Sequence, residues 1–402
     1  MASKVQKKYF KKKFFYPLLD QGFSNDDIKK AISVLKSKRL TMSLKTRDFE
    51  NYFAKKLKTK YAVMVNSGSS ANLLIFFSLL NPLKKNKLKY GDECLVPALC
   101  WSTSLWPVLQ SGLKPRLIDV NKNSFSLDLK TLKAEVTKKT KAVLLINVLG
   151  NCSEIDKIKK FLAKKRIYLI EDNCESLGSI YKNKFLGTFG DFSSFSFYFS
   201  HQITSGEGGM ILCKNKNDYN LIKVLRAHGW DRDLNKKNST SFNFINMGFN
   251  LRPLEVSAAI GLNQIKRLNK FIANRKENRN QIINCLKKNK KWKNQFDFFL
   301  PSKNLKPSWF GLPLLINKKL LKNKNKYLNY LKKQGIESRP IISGNFANQK
   351  SIRLFDIRHN KKKLKNAQEI EDRGFFIGLP TKILKKNTIK VLTNHLLKID
   401  KF

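Results

Sequence analysis

The 402-residue chain predicts an α/β fold: a doubly wound, mostly parallel sheet flanked by helices, with a smaller α+β C-terminal domain. Three observations carry this. Short apolar runs alternate with segments of helical period from Tyr61 to Asp172. The chain is too long for one compact core, so a large and a small domain are expected. From about Lys270 the composition turns lysine-rich, which places the boundary there. The expected division is a basic, aromatic N-terminal arm over 1–24, a large domain over 25–269 and a small one over 270–402.

Ser24 is a capping residue ahead of a helical pattern, and Asp48–Leu57 repeats that pattern. Tyr61–Val65 reads as a strand. It runs into Asn66-Ser-Gly-Ser-Ser-Ala-Asn72 and an apolar helix from Leu73. A strand, a hydroxyl-rich turn and a helix start offer free N–H groups and hydroxyls that suit a phosphate dianion. An ordinary helix cap explains the same residues equally well. No P-loop lysine follows, so the pattern is not that of a nucleotide γ-phosphate site.

Glu93–Pro97 is the next strand. Trp101, just past its end, is placed to stack on a planar ring or to pack in the core. Lys114–Val120 and Lys141–Leu149 read as strands, with a helix near Asp128–Val136 between them. Ser153–Lys164 is helical, and the strand Arg166–Asp172 ends in a carboxylate. Ligands of such sheets bind beyond the carboxyl ends of the strands. Asp172, Trp101 and the Ser67–Ser70 turn all fall there.

Phe195–Met210 begins as an apolar run, passes His201 and leaves through Gly206, Gly208 and Gly209 into the strand Met210–Cys213. This segment either presents one reactive group at a sheet edge or is a β-hairpin with a surface histidine. Asp218–Ala227 is helical. Met247–Glu255 leads into a helix expected to run through Leu268. Ser308–Ile316 is a strand, a helix ends near Lys333, and Gly335–Phe346 reads as strand and loop.

Hydrophobic residues make up 42% of the chain, enough for a sizeable core. The formal charge of +51 comes from lysines spread over the whole length, with short runs at Lys11–Lys13 and Lys361–Lys363. That distribution fits solvated positions and a general attraction for anionic substrates, not a nucleic-acid docking stripe. The longest apolar run, Leu73–Leu80, is far too short to span a bilayer. The basic N-terminus is not followed by the apolar core of a signal peptide, so a cytoplasmic protein is expected. The six cysteines form no C-x-x-C pair and read as buried, reduced thiols. No metal-ligand spacing is present.

Several motifs in order carry a resemblance: Asn66-Ser-Gly-Ser-Ser70, Glu171-Asp172, Gly187-Thr-Phe-Gly-Asp191, Ser196, Glu207-Gly-Gly209 and Gly248-Phe-Asn-Leu-Arg252. From about residue 20 to 400 the chain resembles the DegT/DnrJ/EryC1/StrS family. These are vitamin-B6-dependent sugar aminotransferases of fold type I and their dehydratase relatives. The resemblance implies pyridoxal 5'-phosphate or pyridoxamine 5'-phosphate as cofactor. Asp172 would pair with the pyridine nitrogen, and Gly68, Ser69, Ser70 and Ser196 would hold the phosphate. Trp101 would stack on the ring, with Glu175 a further cofactor contact. Asn250 would reach the phosphate of a neighbouring subunit, making a homodimer with shared active sites.

Aminotransferases of the family carry a lysine where this chain has His201. The resemblance is therefore narrower, to the sugar 3-dehydratase branch, and most closely to members that take a GDP-linked 4-keto-6-deoxy-mannose. Asn173-Cys-Glu175, His228-Gly-Trp230 and Arg339–Phe346 support that branch. The implied activity is removal of the C3 hydroxyl from a nucleotide-linked 4-keto-6-deoxy sugar in deoxysugar and lipopolysaccharide biosynthesis. His201 would be the base, and glutamate the amino donor. Arg252 and Arg339 would bind the donor carboxylate or the sugar diphosphate. A nucleotide-sugar aminotransferase and a non-catalytic binding homologue are the competing readings.

Overall fold

In the computed structural model, residues 14–19, 22–234, 242–355 and 357–402 are described. Most of the expected N-terminal arm lies outside them. The first helix, Asn25–Lys36, begins at a reciprocal cap. Ser24 accepts the Asp27 amide, and the Asp27 carboxylate accepts the Ser24 amide.

The strands run in chain order as β1 (Tyr61–Val65), β2 (Glu93–Pro97), β3 (Lys114–Ile118), β4 (Thr140–Ile146) and β5 (Tyr168–Asp172). Two short ones follow, β6 (Ile180–Tyr181) and β7 (Lys184–Phe185), then β8 (Phe192–Ser196) and β9 (Gly209–Cys213). Seven of them form one sheet in the order β1-β9-β8-β5-β4-β2-β3. Pairings from β3 through β2, β4 and β5 to β8 are parallel. β9 alone runs the other way, antiparallel to both β8 and β1. Strands such as β2 and β8 are buried along their whole length, so their apolar runs do not alternate.

This topology decides where the site falls. Parallel strands end on one side, and two of those ends open into helices: Gly68–Leu80 after β1 and Ser102–Gln110 after β2. The His201 loop joins β8 to the reversed β9, so it too emerges on that side.

A second, antiparallel sheet has the order β10-β12-β14-β13, from β10 (Phe296–Phe298), β12 (Gly311–Ile316), β13 (Ser338–Arg339) and β14 (Gly374–Gly378). A small third sheet pairs β11 (Leu305–Lys306) with β6, and β6 with β7.

Three sequence expectations need adjusting. The helix expected through Leu268 is two, Glu255–Ile265 and Leu268–Lys288. The break has no Gly or Pro. It occurs where Arg267 turns its guanidinium to the buried Asp27 carboxylate, a contact 240 residues away. The strand expected to reach Leu149 stops at Ile146, and Leu149 takes a left-handed backbone. All six cysteines are free, but Cys174 and Cys285 are only half-buried. Among the described residues no helix is long and apolar enough to cross a membrane, and no His/Cys/Asp/Glu group could hold a metal ion.

Candidate active site

The site is built from the ends of β1, β2, β5 and β8. After β1, Ser67 caps the helix Gly68–Leu80 by accepting the Ser70 amide at 3.1 Å. The first amides of such a helix have no carbonyl one turn back to bond. Two glycines are demanded by close approach. A Cβ on Gly68 would stand 2.6 Å from the Ser196 Cβ, and one on Gly209 would stand 2.3 Å from the Ser67 carbonyl oxygen. Gly68, Ser69 and Ser70 are thus brought against Ser196 as one hydroxyl-lined turn at a helix N-terminus, which suits a phosphate.

Asp172 ends β5 with 4% of its surface exposed. Its Oδ2 accepts Asn72 Nδ2 at 3.0 Å and Ser104 Oγ at 2.8 Å. Its Oδ1 accepts the Cys174 amide at 3.1 Å. Among the described residues no Lys, Arg or His pairs with it. Sequence reasoning missed Asn72 and Ser104. The available signal was positional: each lies in the first turns of a helix that starts at a strand end.

The neighbour Glu171 points to the opposite face of β5. It accepts the amides of Gly187, Phe189 and Gly190 at 2.8, 2.8 and 2.6 Å. Burial raises its pKa, and those backbone donors oppose the rise. Glu171 therefore holds the Gly187–Asp191 turn in place. Glu175 accepts the Leu149 amide at 2.9 Å. Burial, then the charge of Asp172, pushes its carboxyl up to about 7.

Trp101 precedes the helix Ser102–Gln110 and is 57% exposed. That exposure decides against core packing and leaves a ring surface free for stacking. His201 lies in the turn after β8, its amide donating to the Tyr198 carbonyl at 3.0 Å. The imidazole meets Tyr198 and Phe310 edge-on, at centroid distances of 6.0 and 5.2 Å. Its Nδ1 is shut off from solvent and has no hydrogen-bond partner. Burial, and after it the Arg275 charge, pushes the pKa down to about 3. The surface-histidine alternative does not describe this ring. The hairpin is nonetheless real, because β8 and β9 pair antiparallel.

Asn250 is exposed and accepts from Arg252 Nε at 3.0 Å, while the Leu251 carbonyl accepts the Asn66 amide at 3.1 Å. This segment therefore borders the phosphate-type turn within its own chain. Arg252 and Arg339 lie outside the hydrogen-bonded set around Asp172: Arg252 is engaged with Asn250, and Arg339 is exposed on β13. The lysines near the histidine in sequence are committed elsewhere. Lys182 bonds Asp156 at 2.7 Å, Lys214 bonds Asp191 at 3.0 Å, and Lys184 is exposed on β7.

A phosphate-type turn, a buried carboxylate without a cation and an open tryptophan define a vitamin-B6 site on an aminotransferase-type sheet. The profile of the DegT/DnrJ/EryC1/StrS aminotransferase family matches residues 22–394, and the chain belongs to that family. It is 39% identical over 376 residues to the GDP-4-keto-6-deoxy-D-mannose 3-dehydratase of Escherichia coli O55:H7, covering 90% of this chain and 95% of that one. The solved E. coli dehydratase with bound hydrated PLP superposes with a TM-score of 0.88 at 38% identity, over 95% of this chain and 99% of that one. A GDP-4-keto-6-deoxymannose-3-dehydratase with a trapped PLP–glutamate geminal diamine gives a TM-score of 0.87 at 37% identity, over 95% and 100%.

The residues present fit pyridoxal or pyridoxamine phosphate. A buried carboxylate aimed by neutral donors matches a protonated pyridine nitrogen. The N-terminus of the helix Gly68–Leu80, with the hydroxyls of Ser69, Ser70 and Ser196, matches a phosphate dianion.

Proposed function

We propose that this protein removes the C3 hydroxyl from a GDP-linked 4-keto-6-deoxy sugar, using pyridoxal/pyridoxamine phosphate and glutamate, in deoxysugar and lipopolysaccharide biosynthesis. The observation that carries this is His201. An otherwise complete vitamin-B6 frame has a half-buried imidazole, closed off at Nδ1, where the aminotransferases of the family carry a lysine.

When bound, the cofactor supplies an electron sink for the charge left as a proton departs from carbon. Asp172 would pair with the ring nitrogen and favour its protonated form. Gly68, Ser69, Ser70 and Ser196 would hold the phosphate, Trp101 would stack on the ring, and Glu175 would be a further contact. His201 moves the proton. Its depressed pKa keeps the imidazole neutral at pH 7 and lowers its hold on the proton, so that the proton is passed on rather than retained. With Nδ1 shielded, Nε2 is the nitrogen that accepts. The overall change balances: the sugar loses its C3 oxygen, glutamate is oxidised to its 2-keto acid, and ammonia leaves.

The GDP group and glutamate are supported by what the E. coli and trapped-adduct proteins are named for. Arg252 and Arg339 are the cations proposed to meet the glutamate carboxylate or the diphosphate. We take the active form as a homodimer in which Asn250 reaches the partner's phosphate site, and its place as the cytoplasm. The exposed Asn250 side supports the first. The cofactor domain is taken as 25–269 and the smaller one as 270–402. A sheet drawn wholly from 296–378 supports that division.

Borohydride reduction of the cofactor-loaded enzyme, followed by peptide mapping, tests the reading. No cofactor should be found attached to the chain, and turnover should release ammonia with a 3-deoxy sugar. A reduced cofactor on any lysine, with an amino sugar as product, would return the aminotransferase to first place.

A further inference from the structure

Asp172 is held by two side chains that come from the two helices carrying the other cofactor contacts. Asn72 stands on the helix Gly68–Leu80, one turn after the phosphate-type turn. Ser104 stands on the helix Ser102–Gln110, one turn after Trp101. Both are buried, each 2% exposed. The same helices are tied to each other. Ser69 Oγ donates to Thr103 Oγ1 at 2.8 Å, and Asn72 Nδ2 also reaches the Thr103 carbonyl at 3.2 Å. The orientation of the Asn72 amide follows from chemistry. Its two neighbours, the Asp172 carboxylate and the Thr103 carbonyl, can only accept, so Nδ2 must face them.

The hydrogen bonds to Asp172 come from neutral donors, and among the described residues no ion pair reaches it. Glu175 and the thiols of Cys100 and Cys174 lie close enough to feel its charge.

We propose that Asn72 and Ser104 are positioning residues that keep Asp172 aimed, and that they couple the phosphate turn, the stacking tryptophan and the ring-nitrogen partner into one unit. This rests on the vitamin-B6 reading of the site. Without the two donors the carboxylate would swing from its plane. The ring nitrogen of the bound cofactor would then lose its proton at a lower pH. A hydrogen bond to a charged group is worth about ten-fold or more in an equilibrium constant.

The test uses the full-length protein and pyridoxamine phosphate as probe. Ser104→Ala and the isosteric Asn72→Asp are compared with wild type, and Ser104→Thr restores a hydroxyl. Three quantities are read: the dissociation constant, the pH at which the absorbance of the bound cofactor reports loss of its ring proton, and the melting temperature without cofactor. Ser104→Ala should weaken binding by about ten-fold and lower that pH by about one unit. Asn72→Asp, which sets a like charge beside Asp172, should weaken binding more. Ser104→Thr should recover what Ser104→Ala lost. Wild-type affinity and titration in both Ser104→Ala and Asn72→Asp would overturn the inference. So would a fall in melting temperature with no change in the titration of the cofactor. These readouts need no sugar, so they are independent of the dehydration chemistry. A wild-type protein that fails to bind pyridoxamine phosphate would instead sink the proposed function, and this inference with it.

Discussion

Two corners of the site are held by different forces. At Asp172 every contact is a hydrogen bond: three donors reach its two oxygens from three segments. At His201 the ring is held by the edges of Tyr198 and Phe310, and its buried Nδ1 bonds nothing. Asp172 must stay still, and hydrogen bonds from three segments achieve that. A proton carrier has the opposite need. A bonding partner on Nδ1 would stabilise the imidazolium and retain the proton. Ring edges fix direction while adding little to basicity. The two corners also titrate in opposite directions: burial raises Glu175 beside Asp172 and lowers His201.

The sharpest way to break this comparison is His201→Asn. It should cut dehydration by about 10²–10⁴-fold, as loss of one positioned base does, while pyridoxamine phosphate still binds. Steady-state rates with equilibrium binding measure both. Loss of binding instead would mean that His201 anchors the cofactor and that the corners are not distinct.

Asp172→Asn should give the reverse pattern. Turnover should fall by about 10²–10³-fold, and cofactor affinity should fall with it, while circular dichroism stays that of the wild type. Near-normal turnover would reduce Asp172 to a helix-side cap.

Opposite titrations give a stability test on Glu175→Gln. The folded pKa of Glu175, about 7, stands above its ordinary value. Its contribution is therefore present at low pH and is lost as pH rises through 7. Relative to wild type, Glu175→Gln should gain about 1–2 kcal/mol between pH 5 and pH 8. His201 has the other sign: its folded pKa is lowered, so its contribution is lost as pH falls from 6.5 towards 3. Denaturant melts at both ends of that range measure the two slopes. A parallel pH dependence in wild type and Glu175→Gln would contradict the raised pKa.

The smallest effect is expected from Phe310→Leu, which removes one ring edge from His201. An aromatic pair is worth about 0.5–1.5 kcal/mol, so turnover should drop by roughly 2–10-fold with the Michaelis constant for glutamate unchanged. No change would show that Tyr198 and the backbone bond suffice to aim the imidazole.

Much of this site is legible in the amino-acid sequence. The strand–turn–helix at Tyr61–Leu73, the carboxylate closing Arg166–Asp172 and the glycine-rich exit after His201 are local patterns. Local patterns are set by propensity and by steric rules that hold within a few residues. The break at Lys266–Arg267 is not legible there: it has no Gly or Pro, and it coincides with a contact to the carboxylate of Asp27 far away in the chain. The same holds for Trp101. Its sequence context leaves stacking and core packing open, and only its exposure in the folded chain separates them.

By itself the sequence determined the α/β alternation, the order of motifs and the identity of the residue at position 201. Those are properties of short segments and of single side chains. Tertiary structure alone decided that Asn72 and Ser104 meet on one carboxylate oxygen of Asp172, with separations of 100 and 68 residues. It also decided that His201 is dry on one nitrogen and touched by Phe310 from beyond the large sheet. The physical reason is the same in both cases. Burial and hydrogen-bond partnership depend on which strand ends the sheet order brings side by side, and parallel crossovers bring together residues that are never neighbours in the chain.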